Sequence, residues 1–454
     1  MKSDPRVAAS APPPASRPGV RFAPPSRQRL LGLTVCTMIG ISIANGVSDG
    51  AVPAWPAGLL AWLVGISLFG GIPRFQQVQV ALMCACGLAA LALAASRQKI
   101  DVLVALVESN QAMLAMLATV SFLRMVTPSG AGATETLPRG RRALWQTLFA
   151  THLFGAVVNI SAVFIVGHRI ARDGALTPLQ AKVVSRGFVA AACWSPLFAA
   201  MAVVLHYVPA VDMLAISRVN LVLALLLLGY CLVELLPDPA APEFVGFPLH
   251  REALTVPVLL AALVVALYNL PTGWPILTVI ELGAAGCVTA LLLARPWRES
   301  RRLVAHHVDR ELPRMGGEFA LFLGAGLLAV GISALAGTGH IDYVLDPASA
   351  TQAIPLLAVL VTLTLVGIHP VISVAALSGL FPARLTHPDL VGMVILMAWS
   401  VALGTSPFSG TTLAMQGRFG IPATRFLRWN LRYLLVGFVL ASAVLVVVDY
   451  FAVA

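Results

Sequence analysis

The chain of 454 residues is 58% hydrophobic and only 11% charged. A soluble globular domain carries about 25% charged residues, so this composition excludes a soluble protein and indicates a polytopic membrane protein. The formal net charge of +10 could suggest a nucleic-acid partner. The arginines, however, fall mostly in short segments between apolar runs, where they set membrane topology, and we expect no nucleic-acid partner.

The first 28 residues differ in composition from the rest of the chain. Proline, alanine, serine and arginine dominate them, and such a segment cannot bury enough apolar surface to fold. We therefore predict a disordered basic cytoplasmic tail over 1–28. A membrane-crossing helix needs about 20 apolar residues, and eleven candidate spans follow the tail, near 30–47, 53–71, 76–95, 102–123, 179–208, 213–236, 252–270, 274–295, 318–338, 388–416 and 426–452.

Two further apolar segments, 143–168 and 353–381, either cross the membrane or turn back within it. If both crossed, the basic segments 169–186 and 295–314 would lie on the side opposite the basic tail, against the positive-inside rule. If both are re-entrant hairpins, these segments share one side with the tail. The sequence therefore predicts eleven spans and two hairpins, with the N-terminus cytoplasmic and the C-terminus periplasmic. The first hairpin would open to the cytoplasm and the second to the outside.

The two hairpin segments also resemble each other. LFGAVVNIS begins at Leu153 and LVGIHPVIS begins at Leu365. A Ser-Pro pair follows each at nearly the same distance, in CWSPLFAAMA and GTSPFSGTTLA, and Asn220 and Asn430 then open similar apolar spans. We predict two repeats, 29–236 and 237–454, with broken helices at 179–208 and 388–416. Repeats of opposite orientation are the architecture of secondary transporters, which bind solutes near the midplane.

The predicted interruptions contain the residue types that a midplane site needs. Proline and glycine take the backbone out of helical geometry, and the freed groups survive only where protein, ions or trapped water satisfy them. Half-helices direct N-terminal ends at anions and carbonyl ends at cations. The predicted backbone breaks are Gly155, Pro196, Gly367, Pro370, Gly404, Pro407 and Gly410. The predicted substrate or ion ligands are Asn159, Ser161, Ser195, His369, Ser373, Thr405, Ser406, Ser409, Thr411 and Thr412.

Three ionisable residues in apolar surroundings have open roles. His369 lies at a hairpin tip, where it could bind a proton or an anion, or simply form a hydrogen bond to a loop carbonyl. Glu108 and Glu281 lie within predicted spans, and intramembrane acids suggest function. A polar helix interface for Glu108 and a scaffold or dimer contact for Glu281 remain equally open.

Two long stretches resemble a known family. LFLGAGLLAVGISALAGTGHID at 321–342 and GTSPFSGTTLAMQGRFGIPATRFLRWNL at 404–431 resemble the ion transporter superfamily, most closely its divalent anion:sodium symporter branch. That resemblance implies eleven spans plus two hairpins and a homodimer. The family's symporters carry Ser-Asn-Thr at both tips, whereas this chain has Asn159 and Ser161 at the first tip and His369 and Ser373 at the second.

These patterns together predict a secondary active transporter of the bacterial inner membrane. It would move a small organic or inorganic anion, coupled to Na⁺ or H⁺, by alternating access of a hairpin-bearing bundle. A cation/proton antiporter of the same superfold is the alternative, and a membrane scaffold or enzyme is a third. No enzyme motif occurs, and the six cysteines have no histidine partners at metal-binding spacing, so we expect neither a metal nor a cofactor beyond the coupling ion.

Overall fold

The computed structural model describes residues 25–94, 101–126, 137–208, 210–249, 252–338, 344–382 and 384–453. Within these ranges the chain is all-α, and its only β-type pairings are the isolated bridges Arg139–Val245 and Arg172–Ala175. Most of the predicted tail, residues 1–24, lies outside the described residues. The first helix begins at Pro25, a few residues before the predicted end of that tail.

Eleven helices form the first half of the described chain: α1 (Pro25–Val47), α2 (Trp55–Phe69), α3 (Arg74–Ala94), α4 (Asp101–Glu108), α5 (Gln111–Ser121), α6 (Leu123–Val126), α7 (Gly140–Val158), α8 (Ser161–Ile170), α9 (Pro178–Ala191), α10 (Ala199–Tyr207) and α11 (Met213–Leu235). Nine form the second half: α12 (Glu252–Tyr268), α13 (Ile276–Leu293), α14 (Trp297–His306), α15 (Gly316–Ala336), α16 (Ala350–Leu365), α17 (Pro370–Ser378), α18 (Pro388–Ala402), α19 (Gly410–Phe419) and α20 (Thr424–Val453).

Seven helical stretches of the described chain are long and apolar enough to cross a membrane, and each matches a predicted span. The other four predicted spans are the shorter helices α2 and α12 and the two broken helices, α9 with α10 and α18 with α19. The predicted loop 295–314 is itself structured, because it is filled by α14, a π-helical turn at His307–Glu311 and a 3₁₀ turn at Leu312–Met315. The prediction of a polytopic all-α membrane protein is confirmed.

The helices α7 and α8 form the first predicted hairpin, and hydrogen bonds bring its two ends together. At the start of α7, the Gly140 amide donates to the Phe244 carbonyl at 2.9 Å. At the end of α8, Gln180 Nε2 donates to the Ile170 carbonyl at 3.1 Å and also to the Val245 carbonyl at 2.8 Å. The segment therefore enters and leaves on one face. With 10 residues, α8 is about 15 Å long and cannot cross a hydrocarbon layer of about 30 Å.

The second hairpin consists of α16 and α17, and its ends also meet. The Leu345 amide, just before α16, donates to the Leu380 carbonyl, just after α17, at 2.9 Å. Thr386 Oγ1 then donates to the Asp346 carboxylate at 2.6 Å. The second arm has only 9 residues, about 14 Å, so this segment is re-entrant as well.

The hairpins open to opposite faces, as helix α11 demonstrates. Its 23 residues span about 34 Å. Beyond its end, Asp238 pairs with Lys182 at 3.6 Å, beside the opening of the first hairpin. At its start, the Asp212 amide donates to the Asp389 carboxylate at 2.7 Å, beside the opening of the second. We call the first of these two faces the basic face, because it carries Arg139, Arg141, Arg142, Lys182, Arg425 and Arg428.

The two helix breaks have the same backbone structure. Each is a seven-residue interruption, 192–198 and 403–409. In each, the serine amide donates to the carbonyl four residues earlier, at 3.1 Å for Ser195 and 3.0 Å for Ser406. Each serine hydroxyl also accepts from the amide two residues later, at 3.2 Å and 3.3 Å. The two Ser-Pro pairs therefore have the same local hydrogen bonding.

The predicted register of the hairpin tips is wrong by about four residues. Gly155 and Gly367 were expected to correspond, yet Gly155 lies inside α7, packed against Phe188, and is not a backbone break. The tip residue of the first hairpin is Asn159, with φ 51°, and its counterpart is Gly367, with φ 101°. Both conformations lie in the left-handed half of backbone space, which glycine and asparagine tolerate best. The matching letters of the two segments therefore do not mark equivalent positions of the two turns.

A third interruption lies within the predicted span 102–123. Asn110 adopts φ 61° between α4 and α5, and its buried side chain donates to Tyr207 Oη at 2.7 Å and to the Phe322 carbonyl at 2.5 Å. Glycine at position 326 allows Ser109 to approach α15, because a Cβ there would lie 2.0 Å from the serine oxygen. The polar residues at this position therefore form a helix interface, which was one of the two roles considered for neighbouring Glu108.

Candidate functional site

A cavity of about 440 Å³ lies where both hairpin tips and both helix breaks meet. From the tips it is lined by Val158, Asn159, Ile160 and His369, and from the breaks and the helices that follow them by Phe198, Ala199, Leu403, Phe408, Gly410 and Thr411. Its volume falls within the range of about 300–1,000 Å³ that is usual for ligand sites. The hairpins and helix breaks that the sequence repeat predicted therefore surround a shared cavity.

The cavity extends from the tips toward the basic face. Because Asn110 bonds Tyr207 at the end of α10, helix α5 starts nearer the opposite face and runs toward the basic one. Arg124, beyond the end of α5, lines the cavity there. The starts of α3 and α15 line the same region, where Gln76 Nε2 donates to the Gly317 carbonyl at 2.8 Å.

Asn159 lines the cavity and also ties the first tip to the first break. Its Nδ2 donates to the Leu197 carbonyl at 3.0 Å. That carbonyl belongs to the interrupted segment and has no helical amide to bond, so the asparagine satisfies a group that the break exposes. The side chain remains half-buried at the cavity wall.

His369 combines the two roles that the sequence left open. It is the N-cap of α17, and its Nδ1 accepts from the Val371 amide at 3.2 Å. Its ring also lines the cavity, edge-on to Trp399 with centroids 5.9 Å apart. Because Nδ1 is an acceptor here, the neutral ring carries its proton on Nε2. Protonation of Nδ1 would remove the cap.

Ser195 and Ser406 do not line the cavity. Each is buried and donates to a carbonyl near the end of the first arm of its hairpin, Ser195 to Ala156 at 2.5 Å and Ser406 to Thr364 at 2.7 Å. The two bonds are symmetric counterparts. Their role is to fasten each break to its hairpin.

Two of the remaining hydroxyl residues of the second break, Ser409 and Thr412, bond nearby backbone, in the break or at the start of α19. Ser409 caps α19 by accepting from the Thr412 amide at 3.2 Å, and Thr412 Oγ1 donates to the Ser406 carbonyl at 2.7 Å. Thr405 donates over 3.4 Å to the Asn430 carbonyl. Of this group, Thr411 lines the cavity.

The other predicted polar residues lie away from the cavity lining. Ser161 begins α8, and Ser373 is buried in α17 without a hydrogen-bond partner for its hydroxyl among the described residues. Glu108 ends α4 at the third interruption. Glu281 is fully buried and accepts from Ser42 at 3.1 Å, which places it in a scaffold helix contact.

Sequence reasoning missed the charged and amide side chains of the cavity wall, namely Arg124, Glu318, Gln76 and Gln79. Gln79 Nε2 donates to the Gly367 carbonyl at 2.6 Å, so α3 binds the second tip directly. Arg124 and Glu318 bring opposite formal charges to the same cavity. Each of these residues lies near the end of a predicted span. Polar residues are common at helix ends, so the sequence does not distinguish a cavity residue there from an ordinary boundary residue.

A buried polar network lies behind the second break. Arg186 ends the predicted basic segment 169–186, but it lies in α9 with a side chain that is 0% exposed. It donates to Glu234 at 2.7 Å and to Asn430 Oδ1 at 2.8 Å. Asn430 Nδ2 in turn donates to the Gly404 carbonyl at 2.7 Å. This network links the break to helices α9, α11 and α20.

No model of a known protein family matches the sequence, and no curated protein matches it either. Among solved structures, the chain is similar to the YdaH transporter of Alcanivorax borkumensis, with 16% identity and a TM-score of 0.45 over 94% of this chain and 98% of that one. So low an identity and TM-score do not assign a function. The resemblance to the divalent anion:sodium symporter branch stays a prediction.

Proposed function

We propose that this protein is a secondary active transporter that moves a small organic or inorganic anion across the bacterial inner membrane, coupled to Na⁺ or H⁺. The observation that supports the proposal is the cavity shared by two oppositely oriented hairpin tips and two helix breaks. Broken helices and re-entrant tips at membrane depth are tolerated where they line a binding site or a water-filled cavity. We further propose a homodimer with its basic face in the cytoplasm, in which case the cavity extends inward.

The packing of the helices supports a proposal of alternating access. Helices α7 to α11 and α16 to α20 pack together as a hairpin-bearing bundle, and α1 to α3, α5, α13 and α15 pack as a scaffold. Two contacts join scaffold helix α3 to the second half of the bundle, the bond from Gln79 to Gly367 and the stacking of Phe75 on Phe408 at 5.7 Å. Exposing the site to the opposite face requires both contacts to break as the bundle moves.

The direct test is uptake into proteoliposomes. The purified chain is reconstituted and offered a panel of radiolabelled carboxylates and oxyanions, each with and without a Na⁺ gradient and a pH gradient. We expect one anion class to accumulate with one of the gradients and to depend on Asn159. An Asn159→Ala variant should lose at least 10-fold in uptake, since it frees the Leu197 carbonyl and alters the cavity wall. An Asn269→Ala variant, changed at an exposed site after α12, is the matched control.

A cation/proton antiporter remains the alternative, and the Glu318 carboxylate in the cavity supports it. It predicts that a Na⁺ or pH jump drives exchange with no anion present. Exchange that is independent of every anion in the panel would contradict the proposed anion transport. If folded protein transports no solute or ion at all, both the anion transporter and the antiporter are contradicted. That result would favour a membrane scaffold without transport activity.

A further inference from the structure

We infer that the transported solute is an organic monoanion with an apolar body of about aromatic size, and that Arg124 binds its anionic group. The inference rests on the proposed function, since it names the substrate class of the same cavity. It narrows the small organic or inorganic anion proposed above and excludes the dianions that the family resemblance implies.

The wall of the cavity is mostly apolar and contains many aromatic rings. Among the described residues, seven aromatic side chains reach it from separate helices and breaks: Phe75, Phe164, Phe188, Phe198, Phe322, Trp399 and Phe408. An inorganic oxyanion or a small hydrophilic acid would lose its hydration among these rings without a matching gain. A solute with an apolar or aromatic body gains by leaving water and by stacking. The lining therefore favours an amphipathic solute.

Arg124 supplies the cation for such a solute. Its Nε is closed to solvent and has no hydrogen-bond partner among the described residues. No described carboxylate lies within 4.0 Å of its guanidinium, although Glu318 and Glu311 interact with its charge. Arg124 is half-buried and lines the cavity, so the other guanidinium nitrogens are the ones that a bound carboxylate would meet, through short, charge-assisted bonds.

Glu318 limits the charge of the solute. It lines the same cavity as Arg124. The formal charges of Glu318 and Arg124 add up to zero. A monoanion bound at Arg124 therefore shares the cavity with one other negative group, the Glu318 carboxylate. A second negative charge on the solute would lie in the same enclosed space as Glu318 and be repelled, because like charges interact strongly where water is scarce.

Direct binding tests this inference without requiring transport. Isothermal titration calorimetry on the full chain in nanodiscs would compare phenylacetate with three analogues. Phenylacetamide removes the charge, acetate removes the apolar body and phenylsuccinate adds a second charge. We expect phenylacetate to bind at least 10-fold more tightly than each of the three. Equal binding of phenylacetamide or acetate would overturn the inference whether or not any variant folds.

The role of Arg124 is tested by Arg124→Gln, with Arg124→Lys as the conservative variant. We expect Gln to weaken phenylacetate binding about 10- to 100-fold, the usual effect of losing a hydrogen-bonded charge, and Lys to restore part of it. Arg302→Gln, changed at an exposed position on α14, should bind as the unchanged chain does. Phenylacetate that binds Arg124→Gln without loss would refute the role of this arginine.

Transport and binding then separate the two proposals. If phenylacetate binds as expected but nothing is transported, the transporter proposal fails and the assigned site stands. If acetate, succinate or sulfate is transported while phenylacetate neither binds nor competes, the inference fails and the transporter proposal stands.

Discussion

Replacing the buried Arg186 by methionine should destabilise the protein strongly. The substitution keeps side-chain volume in the core but removes the partner of three acceptors, the Glu234 carboxylate, Asn430 Oδ1 and the Trp429 carbonyl at 2.9 Å. It also removes a guanidinium that lies 5.4 Å from the ring centroid of Tyr433. Removing one member of a buried ion pair costs about 3–5 kcal/mol, because the other charge is left without compensation.

The expected cost of Arg186→Met lies at the lower end of that range. The side chain of Glu234 is 19% exposed, so water can solvate part of the carboxylate that the substitution leaves behind. We therefore expect a loss of about 3 kcal/mol. The assay measures thermal unfolding of the purified protein in one detergent, with size-exclusion chromatography reporting the fraction that aggregates after heating. The control is Arg428→Met, at an exposed position of α20.

The double variant Arg186→Met with Glu234→Met shows whether the uncompensated charge is the cause. Removing both charges leaves no stranded carboxylate, and buried ion pairs replaced by apolar side chains are often neutral in stability. The double variant should recover most of the lost thermal stability. If it unfolds at the same temperature as the single variant or lower, the reasoning from desolvation is wrong and the network contributes through its hydrogen bonds and packing.

Three further predictions concern the hairpins. Ser406→Ala should cost about 0.5–1.5 kcal/mol, since the Thr364 carbonyl loses its bond at 2.7 Å and keeps the one from the Gly367 amide at 3.3 Å, and thermal unfolding would show no change if the bond is dispensable. Gly367→Ala should cost about 1–2 kcal/mol because of its φ of 101°, whereas Gly417→Ala, where a Cβ meets nothing within 4 Å, should be neutral or slightly stabilising in the same assay. In a background without the native cysteines, Arg141→Cys and Ala348→Cys should react with an impermeant maleimide from opposite sides of the membrane, and labelling of both from one side would contradict the inverted hairpins.

Much of the architecture follows from local patterns and could be predicted. Apolar length located the spans, since the thickness of the hydrocarbon layer sets the length of a spanning helix. The distribution of arginine predicted two re-entrant segments, and the described chain closes both with hydrogen bonds between their ends. The Ser-Pro pairs located the breaks, because a proline and a locally bonding hydroxyl act on the backbone of their own segment.

Only the tertiary structure decided what surrounds the cavity. Arg124 and Glu318 resemble ordinary charges at the ends of helices, and Arg186 resembles a loop charge, yet the first two line the cavity and the third is buried. Four of the eight hydroxyl residues that were predicted as ligands donate to backbone carbonyls instead, namely Ser195, Thr405, Ser406 and Thr412. A sequence shows which backbone and side-chain polar groups of a segment need hydrogen-bond partners, but those partners lie on another helix. Those partners depend on packing between segments that are far apart in the chain.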